Sequence, residues 1–173
     1  HPSRIILVDN GSDDGSHEYA SSNGCDVISY DREIFNYSYA LNLGLYETTQ
    51  SHVLILSAHC EIVTNNSVEN MINVMHEYNA AGVYGRQIPT TKSNPVDTRD
   101  LLTVFGRERI IFESHPFFHN AFSIIDRSAW NTCNFDEDLN GIEDRFWARE
   151  QALKGRKIIY EPNSIVYHEH GLN

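Results

Sequence analysis

The sequence predicts an α/β fold in which a mainly parallel sheet is flanked by helices. Three observations predict it. Short, β-branched apolar runs alternate along the chain with longer amphipathic stretches. The run His52–Ala58 (HVLILSA) reads as a buried strand of the kind covered on both faces of a parallel sheet. The third is size: 173 residues, 40% hydrophobic and 21% charged, suit one globular domain. Such a chain buries about 68–70% of its unfolded surface, enough for a real core.

The elements follow in order. Ile5–Val8 is a compact strand ending in the turn cluster Asp9-Asn10-Gly11-Ser12-Asp13-Asp14-Gly15-Ser16. Ser16 is placed to cap a helix over about residues 17–23, with Glu18 in its acid-friendly first turn. Asp26–Tyr30 reads as a second strand, and Phe35–Thr48 as a helix with Leu41, Leu45 and Thr48 on one face. Asn66-x-x-Glu69 resembles a capping box ahead of Val68, Ile72, Met75 and Tyr78. Gly82–Arg86 is a short strand. Residues 87–116, with Pro89, Pro95 and Pro116, read as a long irregular excursion over an active site. Ala121–Ile125 is a strand, and Ile142–Leu153 an amphipathic helix with Phe146 and Leu153 inward. Lys157–Tyr160 and Ser164–Tyr167 are two closing strands. Ligands of such sheets bind beyond the carboxyl ends of the strands.

Charge and cysteines narrow the function classes. Acidic residues outnumber basic ones 24 to 13, a formal charge of −11 that repels a phosphate backbone and argues against a nucleic-acid polymer as partner. A single anionic ligand can still bind a local backbone nest. Cys25, Cys60 and Cys133 are odd in number and far apart, which suggests neither a disulfide framework nor a zinc knuckle and fits a reducing, cytoplasmic compartment. No apolar run reaches the roughly 18 residues of a membrane span. His1-Pro2-Ser3 leads within three residues into the first strand, which reads as an entry into the middle of a domain.

Four places could carry chemistry, and each has a plainer reading. Asp9, at the end of a strand, could accept hydrogen bonds from a base or ribose while Gly11 and Gly15 admit a ligand to the backbone; equally, this is an ordinary Asx-capped turn. In Ser57-Ala58-His59-Cys60-Glu61, an extended chain projects Ser57 and His59 to one face and Cys60 into the core. His59 is then a metal or phosphate ligand, or a histidine bonded to a carbonyl. Glu143-Asp144-Arg145 opens a helix, where acids favour the dipole or, in a cleft, take a proton from a hydroxyl. His168 and His170, two apart on a strand, face the same way and could approach a cation.

Taken in order, these segments resemble a family 2 glycosyltransferase of the GT-A (Rossmann-like) fold. Ile5–Ser16 is similar to the family's strand and "VVDDGSxDGT" loop. FNYSYALNLG (35–44) is similar to its Asn/Gly segment, although the arginine often found before Asn42 is replaced here by Ala40-Leu41. Val53–Cys60 lies where the family carries D-x-D, and here that position reads Ser57-Ala58-His59. Phe118–Phe122 followed by Asp126-Arg127-Ser128 resembles the "GxNxAxRRS" strand and helix, Glu143-Asp144 the catalytic ED pair, and Val166-Tyr167-His168 the late histidine strand.

The resemblance implies a sugar transferase of bacterial polysaccharide biosynthesis. A hydroxyl of a glycan or lipid-linked acceptor would attack the donor's anomeric carbon with inversion. It assigns Asp144 as base with Glu143 beside it. Asp9, Asn10, Gly11, Ser12, Asn42 and Ser57 would face the nucleotide, and His119 and Asn120 the acceptor or sugar. A divalent cation, Mn²⁺ or Mg²⁺, would lie on His59 and His168, with Mn²⁺ the better match to imidazole. Residues 1–86 would be the nucleotide half and 87–173 the acceptor half of one GT-A domain. The family's first strand and helix are missing ahead of residue 1, so the chain reads as a fragment of a longer polypeptide with an open sheet edge, through which it could form homo-oligomers. The expected location is cytoplasmic or membrane-peripheral. Two other classes stand beside it: a decayed transferase that only binds sugar nucleotides or glycans, and a nucleotidyltransferase, whose glycine-rich basic loop is not seen.

Overall fold

The structure is a computed structural model and describes residues 4–169. The entry of His1–Ser3 into the first strand and the pairing of His170 with His168 lie outside the described residues. Two compact units are present, residues 4–49 with 134–143 and residues 50–133 with 144–169.

In the first unit, β1 (Ile6–Asp9) and β2 (Asp26–Ser29) pair in parallel, Ile6 opposite Asp26 and Asp9 opposite Ser29. Between them runs α1 (Ser16–Ser22). Its cap is Gly15 rather than Ser16, because glycine takes φ 87° without strain; the Ser16 N–H donates to Asp14 Oδ1 instead, at 3.0 Å. A 3₁₀ turn (Arg32–Ile34) precedes α2 (Tyr37–Tyr46), so this helix starts later than its apolar pattern suggests. Asn36 sets that start by accepting from Tyr39 N–H. The helix holds the segment 134–143: Ser38 Oγ donates to Leu139 O (2.9 Å), Asn36 Nδ2 to Glu137 O (2.9 Å), and Asn42 Nδ2 to both Phe135 O and Glu137 Oε1 (2.8 Å each).

The second unit is built on one sheet. Its strands are β3 (His52–Leu56), β4 (Cys60–Ile62), β5 (Ala80–Ile88), β6 (Ile110–Phe112), β7 (Phe122–Asp126) and β8 (Lys157–His168). Their order is β3-β7-β5-β8-β4, with β6 also paired to β8. The α/β class holds and the sheet is mixed: β5 and β8 run parallel, while the other pairings of this unit are antiparallel. Helix α3 (Ser67–Tyr78) lays Met71, Val74 and Met75 on Val83, Phe122, Ile124, Ile159 and Val166. Each such side chain contributes about 1.5–3 kcal/mol on burial. The capping box expected there does not form. Asn66 makes no side-chain cap bond, and the hydroxyls of Thr64 and Ser67 pair at 2.7 Å instead.

Four expectations are corrected. β3 is half-buried rather than buried on both faces: its one partner among the described strands is β7, and Leu56 is 42% exposed. Residues 87–116 are irregular only in part. They hold α4 (Pro95–Val104), opened by Asn94 accepting from Val96 and Asp97 N–H with Pro95 in the first turn, and then β6. Leu153 of α6 (Glu143–Leu153) is 69% exposed; the buried face is Glu143, Asp144, Trp147, Ala148 and Gln151, the spacing of a helical stripe. The two closing strands are one. Pairing steps from Gly85–Glu161 to Arg86–Ile165, so residues 162–164 bulge out where Pro162 offers no N–H. Gly85 admits the bulge, since a Cβ there would lie 2.6 Å from Ser164 O and 2.4 Å from Phe122 Cδ1.

The remaining helix, α5 (Arg127–Thr132), is capped by Asp126 accepting from Ala129 N–H. No helix among the described residues is long and apolar enough to cross a membrane.

Candidate active site

The strand β3 stops at Leu56 and the chain turns over Ser57–Cys60, closed by Cys60 N–H donating to Ser57 O at 3.0 Å. Ser57 and His59 are therefore on a turn, not on one face of an extended strand. Ser57 N–H donates to Ala121 O at 2.9 Å. The turn delivers Cys60 into β4 directly opposite His168 of β8. That register brings the His59 and His168 rings together, stacked at 4.7 Å and 22°, with Nε2 atoms 2.7 Å apart. One ring donates across this contact and the other accepts. Cys60 Sγ lies with the two imidazoles, all within 4.8 Å. Burial pushes the Cys60 thiol up to about 12, so the imidazoles are the ready donors at neutral pH. A cavity of about 420 Å³ opens beside them, lined by Ala58, His59, Cys60, Glu61, Thr90, Tyr167 and Glu169. Thr90 Oγ1 donates to Glu169 Oε2 at 2.8 Å.

From His168 the cluster continues to His119, ring centroids 6.1 Å apart. His119 Nδ1 accepts from Ala121 N–H (3.3 Å) and from Gln87 Nε2 (3.1 Å), which assigns its ring proton to Nε2. Next to it, Asn120 N–H donates to Asp144 Oδ2 at 3.3 Å, and Arg145 N–H to Asp144 Oδ1 at 2.7 Å. Asp144 is 8% exposed, and burial raises its carboxyl above the ordinary range, against the opposing pull of those two N–H groups and of Arg145. Two buried polar atoms here, Asn120 Nδ2 and Gln87 Oε1, have no hydrogen-bond partner among the described residues. Such orphans are rare in a native interior and mark places where a ligand's hydroxyl would be satisfied. Arg145 lies over the Phe117 ring at 4.8 Å.

The Asp9 loop belongs to the first unit. Asp9 is 6% exposed; Gly11 and Ser12 N–H donate to its carboxylate at 3.2 Å, and the Ser12 hydroxyl donates as well. The Ser12 hydroxyl, then the two backbone N–H groups, hold the Asp9 carboxyl below its usual value against burial. Gly11 takes φ 91°, and its carbonyl accepts from Arg32. Asn42, expected at the nucleotide, is 2% exposed with its amide spent on Phe135 and Glu137; its Oδ1 accepts from Phe135 N–H at 3.2 Å. Glu143 accepts from Gly141 N–H at 3.0 Å and so fixes the start of α6.

Sequence reasoning missed Gln87, hidden in the stretch taken as irregular, and the nearness of Cys60 to the histidines. The adjacent His59-Cys60 pair was the available signal for the second.

Comparison with known proteins gives the family. The model of "Glycosyl transferase family 2" matches residues 2–133. An O-antigen chain rhamnosyltransferase, WbaN of Salmonella anatum, is 27% identical over 180 residues, which cover 98% of this chain and 57% of that protein. The chain thus spans little more than half the length of that relative. Among solved structures, the mannosyltransferase PcManGT from Pyrobaculum calidifontis in complex with GDP-Man and Mn²⁺ superposes with a TM-score of 0.67 at 20% identity, covering 95% of this chain and 47% of that one. GalNAc-T7 with UDP, GalNAc and Mn²⁺ does so at 0.70 and 18%, covering 99% and 38%. The fold is that of the GT-A glycosyltransferases, and the chain belongs to glycosyl transferase family 2.

Proposed function

We propose that this chain carries the catalytic centre of an inverting sugar transferase that extends a bacterial surface glycan or its lipid-linked precursor from a nucleoside-diphosphate sugar. One observation carries the reading. A buried carboxylate with a raised proton affinity, Asp144, stands at one end of a continuous cluster that runs through Asn120 and His119 to the His168–His59 pair. The relative's description as an O-antigen chain rhamnosyltransferase supports a deoxyhexose donor and a glycan acceptor.

In this reading the Asp144 carboxylate takes the proton of the acceptor hydroxyl. The acceptor oxygen bonds to the anomeric carbon, the bond from that carbon to the diphosphate oxygen breaks, and the diphosphate leaves with the electron pair. Asn120 Nδ2 and Gln87 Oε1 orient sugar hydroxyls, and His119 presents Nε2–H to the same space. Asp9, Asn10, Gly11 and Ser12 receive the nucleoside, with Ser57 near its diphosphate; Glu143 positions the helix that carries the base. Asn42 acts as the clamp on residues 134–143 rather than as a nucleotide ligand.

The residues present fit a divalent cation. Two imidazole nitrogens face one another while the Cys60 thiol beside them stays protonated, and nitrogen donors of this kind are accepted more readily by Mn²⁺ than by oxygen-demanding Mg²⁺. His59 and His168 would hold the ion, and when bound it supplies positive charge to the departing diphosphate. The protein would work at the cytoplasmic membrane face, where lipid-linked acceptors are met.

The test uses the full-length protein. Calorimetry of UDP, GDP, CDP and dTDP is run with Mn²⁺ and with EDTA, followed by transfer assays on the preferred nucleotide sugar. One nucleotide should bind at least about tenfold better with Mn²⁺, and the double variant His59→Ala/His168→Ala should lose that gain. Equal binding in EDTA and in the double variant would overturn the metal assignment. Tight binding without turnover would favour the sugar-nucleotide-binding module instead.

A further inference from the structure

A second cavity, of about 530 Å³, lies in the same unit and is lined by Thr64, Asn66, Asn70, Asn73, Val74, Glu77, Arg109, Glu161 and Asn163. Nothing in the proposed transfer reaction uses it. Asn66, Asn70, Asn73 and Glu77 sit at i, i+4, i+7 and i+11 of the α3 region and so form one stripe. A merely solvated helix face is filled at least cost by Ala, Glu, Lys or Gln. Asparagine is a poor helix former, so Asn70 and Asn73 in one stripe run against local preference, while Asn66 stands at the N-cap, where asparagine is favoured. Asn70 is half-buried and Asn73 exposed, and among the described residues neither side chain is tied up by a protein hydrogen bond.

The opposite wall is rigid. The β8 bulge at 162–164 turns Asn163 outward, and Ser67 of α3 pins the bulge: Ser164 Oγ donates to Ser67 O at 2.7 Å, and Ile165 N–H to Ser67 Oγ at 3.2 Å. Bulges of this kind re-aim side chains beside binding sites. The floor is Glu161, 1% exposed, its Oε2 held by Arg109 at 2.6–2.7 Å and its Oε1 by Asn163 N–H at 2.9 Å. Arg109 neutralises Glu161 and also reaches Glu77 at 3.9 Å, so the lining offers amide donors and acceptors around one excess negative charge at its rim. An excess negative charge excludes a phosphate, and the row of carboxamides suits the hydroxyls of a neutral polyhydroxylated ligand.

We infer that this asparagine-lined groove is a second glycan-binding site, holding a distal stretch of the acceptor chain. Counted along β5, which pairs Gly85 with Glu161 and Ile88 with Tyr167, Glu161 and His168 are about four positions apart, roughly 13 Å at about 3.3 Å per residue, and the two cavities share no lining residue, so the groove is separate from the histidine site. The inference rests on the transferase reading for the identity of the glycan.

The experiment compares the full-length parent with Asn70→Ala/Asn73→Ala and with Asn163→Ala. Lipid-free Salmonella O-polysaccharide is the probe and dextran the control, with transfer to a short acceptor measured alongside. The parent should bind the O-polysaccharide in preference to dextran. Both variants should bind it about threefold to tenfold more weakly, at an unchanged or raised melting temperature and with short-acceptor transfer intact. Parent-like binding by both variants, or no polysaccharide binding by a parent that still transfers to the short acceptor, would overturn the groove alone. A parent lacking both binding and transfer would overturn the transferase reading with it.

Discussion

Replacing Asp144 by Asn should lower sugar transfer by about 10²–10⁴-fold, the usual worth of a positioned general base. Binding of the nucleoside diphosphate, measured by calorimetry, should stay at the parent level, because the substitution removes a proton acceptor and not a diphosphate contact. Parent-like turnover in the variant would remove Asp144 from the mechanism. The pH dependence follows from burial. The carboxyl sits above its ordinary value of 3.8, so the acid limb of the parent's kcat/KM profile should lie above that value and disappear with the carboxylate. Stability takes the opposite sign. A buried acid with a raised folded-state value favours the fold while protonated, and loses that contribution as pH rises through the raised value. The stability difference between the two proteins should therefore move in favour of the Asn variant from pH 4 towards pH 7, read as the shift in urea midpoint at each pH.

The largest effect on stability is expected at Trp147, one turn further along the helix that carries Asp144. It is fully buried, packs on Phe118 with centroids 5.4 Å apart, closes over Gly82, and donates from Nε1 to Cys133 O at 2.9 Å. Trp147→Ala should cost about 3–5 kcal/mol, against a total stability of about 5–15 kcal/mol for a domain. Denaturant unfolding followed by far-UV circular dichroism would measure it. Trp147→Phe should fall between the two, since it keeps the ring packing and drops the hydrogen bond. A loss below about 1 kcal/mol for the alanine variant would mean that this helix is not anchored through its indole.

The parts of this molecule legible in the sequence were those set by local chemistry. Ile6–Asp9 and its glycine-rich turn could be placed because β-branched runs and left-handed glycines carry their own conformational preferences. The helix at Asn94-Pro95 was equally local, but three prolines over a long stretch outweighed a single cap, and the helix was read as loop. Partnership across the chain was beyond sequence pattern. Asn42 looked like a ligand residue because its segment resembled one, whereas its partners Phe135 and Glu137 lie more than ninety positions away. Leu153 was placed inside on hydrophobicity alone, and the true inner face of that helix carries two carboxylates and a glutamine, which apolar periodicity discounts. The His59–His168 contact depended on a turn ending β3 early and on the β4–β8 register, neither of which residue spacing reveals.

The placement of β8 has a consequence for how the molecule breathes. It is bonded to β5 and, over separate stretches, to β4 and β6, so few of its amides meet solvent without the sheet coming apart. Its amides belong to the class that exchanges with deuterium only on global opening, while the two-stranded β1–β2 ribbon can release its own by local fraying. His168 and Glu161 both lie on this strand, and its amides are expected to exchange more slowly than those of the β1–β2 ribbon, as deuterium exchange would read. Within its own unit β8 is therefore the fixed frame, and within the other unit the β1–β2 ribbon is the element that opens first.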